Sequence, residues 1–200
     1  MNIQIEKELK VLVSKNNFNK FLNSLQIDKK TPRIQHNTYY DTINQDLKQL
    51  QTAIRLRRFP SLSYSEWTLK QAKNQFESLE TTQIVNKFID TIPNNLNTEW
   101  ISSKEILTFL DKHHIDLEQL RKTFNFTTHR YVKTMPFGEF NLDITFYYDQ
   151  VDYEIELETK HLEEATIKFK KILTELNIPL KKAPKKIARV ARAFNLNHSS

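Results

Sequence analysis

Carboxylates and cations spaced two residues apart recur along this chain. Glu6, Glu8 and Lys10 share one side of an alternating stretch, Arg55 and Arg57 share another, and Glu66, Thr68 and Lys70 a third. Further on come Thr128, Arg130 and Val132, then Asp143 and Thr145, then the row Asp152, Glu154, Glu156 and Glu158. A spacing of two places such residues on one face of a strand. Neighbouring carboxylates on one strand face repel unless a cation sits among them, and their hard oxygens suit a divalent ion such as Mg2+ or Mn2+. Guanidinium and ammonium groups clamp phosphate oxygens, arginine through two parallel bonds. Acids for a metal and bases for a polyphosphate are together the parts of phosphoryl transfer.

The elements that must carry these residues are mostly strands. Residues 3–13 alternate, with Ile3, Ile5, Leu9 and Val11 on the face opposite Glu6 and Glu8. Ser14 then reads as an N-cap for a helix over about 15–26, with Phe18, Phe21, Leu22 and Leu25 at helical spacing. Residues 30–37 are polar and include Pro32, which predicts a loop, and 36–42 predicts a strand and its exit. Thr52 to Phe59, Glu66 to Gln71 and Leu79 to Asn86 predict strands. Between 87 and 120, Phe88, Ile89, Ile92, Ile106, Leu107, Phe109 and Leu110 predict helices, one capped by Ser102 or Ser103. Period two returns at 124–135, 140–148 and 152–158, with a hairpin turn at Pro136-Phe137-Gly138-Glu139. Helices are expected at 162–176 and after Pro184. About eight strands in hairpin-like succession suggest an antiparallel barrel with helices outside, an α+β fold. With apolar faces packed on those helices, the charged faces must line the interior.

Composition limits the chemistry. No cysteine is present, which excludes disulfides, thiolate zinc sites and a cysteine nucleophile. The single glycine, Gly138, excludes glycine-rich phosphate loops, so phosphate must be held mainly by side chains. A net charge of +6 fits a polyanionic partner, and the densest basic run is Lys181 to Arg192. The acidic residues are interspersed with the basic ones, so nucleic acid is not the expected partner. No apolar run is long enough for a membrane span or signal core, and a cytoplasmic protein is expected, as monomer or homodimer. His113-His114 lacks partners at zinc-ligand spacing, and His36 and His129 are expected to be structural or rim residues.

The ordered set of motifs resembles the CYTH domain, within the triphosphate tunnel metalloenzyme superfamily. Glu6, Glu8 and Lys10 resemble its Glu-x-Glu-x-Lys signature, and Tyr39-Tyr40-Asp41-Thr42 its second-strand motif. Ala53-Ile54-Arg55-Leu56-Arg57 and Thr68-Leu69-Lys70 match the next two strands. Glu80 matches the acidic strand after them, with Thr82 where many members have a second acid. Arg130, Leu142-Asp143, Glu154-Ile155-Glu156-Leu157-Glu158 and Lys186-Ile187-Ala188-Arg189 complete the series. The resemblance implies a bacterial single-domain member: one tunnel domain over 1–195, a disordered tail at 196–200, and an eight-stranded antiparallel β-barrel with helices packed outside. It implies divalent-metal-dependent hydrolysis of a triphosphate, since known family substrates include tripolyphosphate and thiamine triphosphate, while some members are adenylate cyclases. Glu6, Glu8 and Lys10 are then the catalytic set. Lys10, Arg55, Arg57, Lys70, Arg130, Lys186 and Arg189 hold the small-molecule triphosphate or polyphosphate. Glu6, Glu8, Glu80, Asp143, Glu154, Glu156 and Glu158 hold Mg2+ or Mn2+. Two other readings use the same residues: a non-catalytic module binding polyphosphate, nucleotides or RNA ends, and cyclase chemistry on ATP.

Overall fold

In the computed structural model, residues 2–28, 32–181 and 183–198 are described, with side chains to residue 194. The strands are β1 (Asn2–Val13), β2 (Arg33–Asp41), β3 (Thr52–Phe59), β4 (Tyr64–Ala72), β5 (Glu77–Val85), β6 (Arg121–Met135), β7 (Gly138–Tyr147) and β8 (Gln150–Glu158). The helices are α1 (Lys15–Ser24), α2 (Asp46–Gln49), α3 (Lys104–Lys112), α4 (Leu162–Glu175) and α5 (Lys186–His198). The strands hydrogen-bond in the order β1-β5-β4-β3-β2-β6-β7-β8 and close into one antiparallel barrel. The chain divides into two compact units, Met1–Ile5 with Gln35–Asn125 and Glu6–Ile34 with Phe126–Ser200.

In the first unit, β2 through β5 form an antiparallel run in which Arg55 faces Thr68 and Lys70 faces Glu80. One face of that run is apolar: Tyr40, Ile54, Leu56, Trp67 and Leu69 are buried in a core with Leu47 of α2 and Ile106 and Leu110 of α3. The intervening residues, among them Arg55, Arg57 and Lys70, lie on the other face. Ser103 caps α3, its Oγ accepting from the Ile106 amide at 3.4 Å.

In the second unit, β1 pairs with β8, and β8 with β7, which pairs with β6. Leu9, Val11, Phe140, Leu142, Ile155 and Leu157 pack on Phe18, Phe21 and Leu22 of α1 and on Ala165, Phe169 and Leu173 of α4. Ser14 caps α1 by accepting from the Asn17 amide at 3.2 Å. Again the charged residues occupy the face away from the helices.

Two expectations need correction. The loop expected over 30–37 ends early, because β2 begins at Arg33; residues 29–31 lie outside the described residues. Gln35 and Asn37 are buried, each 2% exposed, on the polar face, so this strand shows no alternation of apolar with polar residues. The helices expected across 87–120 reduce to α3 and a short 3-10 turn at Leu117–Gln119. Residues 87–103 form an irregular segment tied down from the sheet: Arg58 lies over the Phe88 ring and donates to the Ile89 and Asp90 carbonyls, and Ser65 Oγ accepts from the Ile89 amide. Of the tail anticipated at 196–200, residues 199–200 lie outside the described residues.

Gly138, at the start of β7, has φ +153°, a conformation that L side chains rarely adopt. A Cβ there would stand 2.4 Å from the Glu158 carbonyl oxygen and 2.8 Å from Leu157 Cδ1. The strand bearing the acidic row therefore approaches β7 as closely as only glycine allows. Gly138→Ala is expected to cost at least about 2 kcal/mol, read as a lower denaturation midpoint. An unchanged midpoint would refute the close approach.

Candidate active site

In the second unit, the register of the strands sets charged residues beside one another. Lys10 stands opposite Glu156, and Glu8 opposite Glu158. Asp143 of β7 stands opposite both Arg130 of β6 and Glu154 of β8. Arg130 meets Asp143 bidentately, Nε to Oδ1 at 2.8 Å and Nη2 to Oδ2 at 2.7 Å, and Nη2 also donates to Glu156 Oε2 at 2.7 Å. Its Nη1 lies 3.7 Å from Glu158 Oε1. From the start of α5, Lys186 pairs with Asp143 and reaches Glu156 at 3.5 Å and Glu154 at 4.0 Å. Arg189 pairs with Glu154 and donates to Asp152 Oδ2 at 2.7 Å. Lys10 pairs with Glu8. Glu6 lies half-buried two residues before Glu8 on the same strand.

Burial and charge act against each other here. Burial pushes the Asp143 carboxyl up, but Arg130 and Lys186 outweigh it and hold it below its ordinary value. Burial also disfavours the charged forms of Arg130 and Lys186, yet Asp143 and Glu156 hold both above their usual values. Lys10 is raised in the same way: burial opposes its charge, while Glu8, Glu156 and Glu154 favour it. Glu154 goes the other way, because burial and the neighbouring Glu156 outweigh Lys186, Arg189 and Lys10. Glu158 is pushed up to about 7 by burial, against Arg130, and with help from Glu6, Glu156 and Glu8.

In the first unit, Lys70 Nζ lies 2.8 Å from Glu80 Oε1. Burial pushes the Glu80 carboxyl up, but Lys70, Arg55 and Arg57 bring it down to about 2. Arg57 Nε donates to Asn37 Oδ1 at 3.1 Å. Thr68 Oγ1 and Thr82 Oγ1 are 3.3 Å apart. Thr82, where a second acid was the family pattern, thus meets a hydroxyl instead.

The residues singled out from sequence therefore fall into two sets. Arg55, Arg57, Lys70 and Glu80 gather in the first unit. Glu8, Lys10, Arg130, Asp143, Glu154, Glu156, Glu158, Lys186 and Arg189 gather in the second. Among the described residues, no three acidic or histidine side chains are grouped as a set that could hold a metal ion, because the carboxylates are turned to the cations. The donor chemistry nevertheless fits a hard divalent ion. On the charged face of the second unit, Glu6, Glu8, Asp143, Asp152, Glu154, Glu156 and Glu158 outnumber Lys10, Arg130, Lys186 and Arg189, and Glu154, wholly buried, has an Oε1 with no hydrogen-bond partner. A buried carboxylate oxygen without a partner is costly and takes up a proton or a cation. Sequence reasoning missed Asn37 and Asn141, whose Nδ2 donates to Glu158 Oε1 at 2.7 Å. Asn141 lies two residues before Asp143, so the same strand spacing could have found it. The histidines stay outside both sets: His113 ends α3, and His129 lies beside the Phe146 ring.

A carboxyl that ionises near 7 when folded, against its ordinary 4.5, makes the fold lose stability as pH rises. The unfolded chain releases this proton first, so the loss begins near 4.5 and is complete above about 7. Glu158→Gln removes that proton. In metal-free buffer, the melting temperature of this variant should draw ahead of the parent between these two values and keep its lead above them. Parallel melting curves at every pH would contradict it.

The CYTH domain family model matches residues 4–191. YjbK of Bacillus subtilis (strain 168), named as a candidate triphosphatase, is 30% identical over 189 residues, 94% of this chain and 95% of its own. The crystal structure of a candidate adenylate cyclase from Bacillus halodurans is 29% identical with a TM-score of 0.78, covering 94% of this chain and 98% of that one. A candidate adenylyl cyclase from Hippeastrum, described as having a dominant triphosphatase activity, shares the fold at 21% identity and a TM-score of 0.77, over 94% and 96% of the two chains.

Proposed function

This chain belongs to the CYTH domain family, and from that premise we propose that it hydrolyses a triphosphate, inorganic or organic, with a divalent ion, Mg2+ or Mn2+. The observation that carries the reading is the buried face of the second unit, where carboxylates outnumber cations and Glu154 Oε1 lacks a partner. A pure anion-binding module would be weakened by such carboxylates, and a metal resolves the conflict. The similarity to YjbK, a candidate triphosphatase, supports hydrolysis. A cytoplasmic location, a single working domain and a monomer or homodimer belong to the same proposal. Among the described residues, no helix is long and apolar enough to cross a membrane.

In this reading Glu6, Glu8, Asp143, Glu154 and Glu156 hold the ion, with Glu158 and Glu80 in support. When bound, the ion neutralises phosphate charge and polarises the bond that breaks. Arg55, Arg57, Lys70, Arg130, Lys186, Lys10 and Arg189 hold the non-bridging oxygens. Water attacks the terminal phosphorus in line, the bond to the bridging oxygen breaks, and that oxygen leaves on the remaining diphosphate. The cations take up the charge that develops on it. The contribution of the protein is positioning and charge neutralisation, without a covalent intermediate.

Phosphate release from tripolyphosphate, ATP, thiamine triphosphate and pyrophosphate, each with Mg2+, Mn2+ or EDTA, tests the proposal. Metal-dependent release from at least one triphosphate is expected. Arg57→Ala and Glu6→Gln should each lower kcat/KM by about 100-fold or more while the protein stays folded. Cyclic nucleotide formed from ATP would favour the cyclase reading, consistent with the Bacillus halodurans relative. Tight binding without any turnover would favour the binding module.

A further inference from the structure

The β7–β8 hairpin carries two polar residues, Tyr147 and Asp152, that neither the metal nor the phosphate assignment uses. Asp152 stands opposite Thr145, and Tyr147 opposite Gln150, so the phenol is the diagonal neighbour of Asp152. The Tyr147 hydroxyl donates to Asp152 Oδ2 at 2.6 Å, and the same oxygen accepts from Arg189 Nε at 2.7 Å. Arg189 Nη1 donates at 2.6 Å to the carbonyl of Pro184, just ahead of α5. Its Nη2 donates to Glu154 Oε2. A chain of hydrogen bonds therefore runs from Tyr147 through Asp152 and Arg189 to Glu154, the buried acid whose Oε1 has no partner.

Each link has a physical role. A phenol hydroxyl fixes a carboxylate without cancelling its charge, so Asp152 stays an anion for the guanidinium. A guanidinium is a rigid planar fork, and holding it at Nε and Nη1 settles where Nη2 lies. The hairpin brings Tyr147 and Asp152 together locally, five residues apart, whereas Arg189 arrives from 37 residues away. Mere docking of α5 does not call for this relay. The helix has its own apolar seat, with Val190 and Ala193 buried and Phe194 beside the Tyr148 ring.

We propose that Tyr147 and Asp152 are positioning residues of the metal site that act through Arg189. Asp152, held by the Tyr147 hydroxyl, anchors Arg189 by Nε, so that Nη2 holds Glu154 by Oε2 and leaves Oε1 for a divalent cation. The same anchor lets Nη2 pass from Glu154 to a phosphate oxygen without the arginine leaving its place. The inference rests on the metal-dependent triphosphatase reading given above.

Tyr147→Phe keeps the ring and removes the donor. An arginine so loosened either leaves Glu154 unoriented or closes on it more fully, and both weaken cation binding. The Kd for Mn2+, measured by calorimetry on the metal-free protein without substrate, should rise about tenfold in this variant. In an Arg189→Met background, which keeps the apolar stem but no donors, the same Tyr147→Phe change should leave the Mn2+ Kd unaltered, because the path to Glu154 is already cut. A merely structural tyrosine gives another pattern: a lower melting temperature with an unchanged Mn2+ Kd, or the same loss of affinity in both backgrounds. Either result overturns the proposal. Should Arg189→Met fail to fold, the Arg189 Nε–H resonance in a 15N spectrum of the metal-free protein replaces the cycle. It should exchange slowly in the wild type and several-fold faster in Tyr147→Phe, and equal exchange overturns the relay. A wild-type protein that binds Mn2+ but releases no phosphate counts against hydrolysis alone, whereas one that takes up no Mn2+ overturns both readings.

Discussion

Asp143 is the charge around which the second unit is organised. It is wholly buried, and a buried carboxylate is tolerable only if cations meet it with good geometry. Arg130 does so bidentately from the adjacent strand, and Lys186 does so from α5. The strand pairing brings the arginine automatically, through the Arg130↔Asp143 register. The lysine arrives only if α5 returns across the β7–β8 face, so docking of the last helix and neutralisation of the acid are one event. Removing either cation would strand a charge rather than merely delete a contact, which makes this face intolerant of piecemeal change.

Such a face exists only because the apolar work is done elsewhere. In each unit the strands present Leu, Ile and aromatic side chains to helices, and those cores are close-packed around fully buried residues such as Trp67 and Leu69 in the first unit and Phe21 and Phe140 in the second. The alternation of a strand then forces every second residue to the opposite side. Charge on that side need not stabilise the fold, which leaves it available for ligands. Rigid strands also hold the side chains more exactly in place than loops would, and with Gly138 as the one glycine there is no glycine-rich loop to cradle phosphate.

How far this was legible in the sequence depended on which force placed each residue. Thr52–Phe59 could be read to its ends, because Ile54 and Leu56 alternate with Arg55 and Arg57 and the two faces differ sharply. The start of β2 could not, since Gln35 and Asn37 are polar residues on an interior face, where the usual rule reverses. Phe88, Ile89 and Ile92 have helical spacing but belong to an irregular segment held by Arg58 and Ser65, two partners more than twenty residues away that no local pattern reveals. The meeting of Lys186 with Asp143, 43 residues apart, is likewise a tertiary fact. It was expected only through the family resemblance, not through spacing.

In both sets the cations lean on carboxylates, and that pairing bears on how ligands would bind. In the second unit Arg130, Lys186 and Arg189 are matched to carboxylates, so a bare anion arriving there meets cations already neutralised and an excess of acid. A bare divalent ion meets acids already engaged except at Glu154 Oε1. Under the proposed reading the two ligands help each other: a metal drawing Glu154 and Asp143 toward itself loosens their hold on Lys186 and Arg189, and those cations then turn to phosphate oxygens. Each ligand lowers the cost of admitting the other, which is positive coupling by linkage. In the first unit Lys70 and Arg57 both act on Glu80, so the same exchange of partners would apply there.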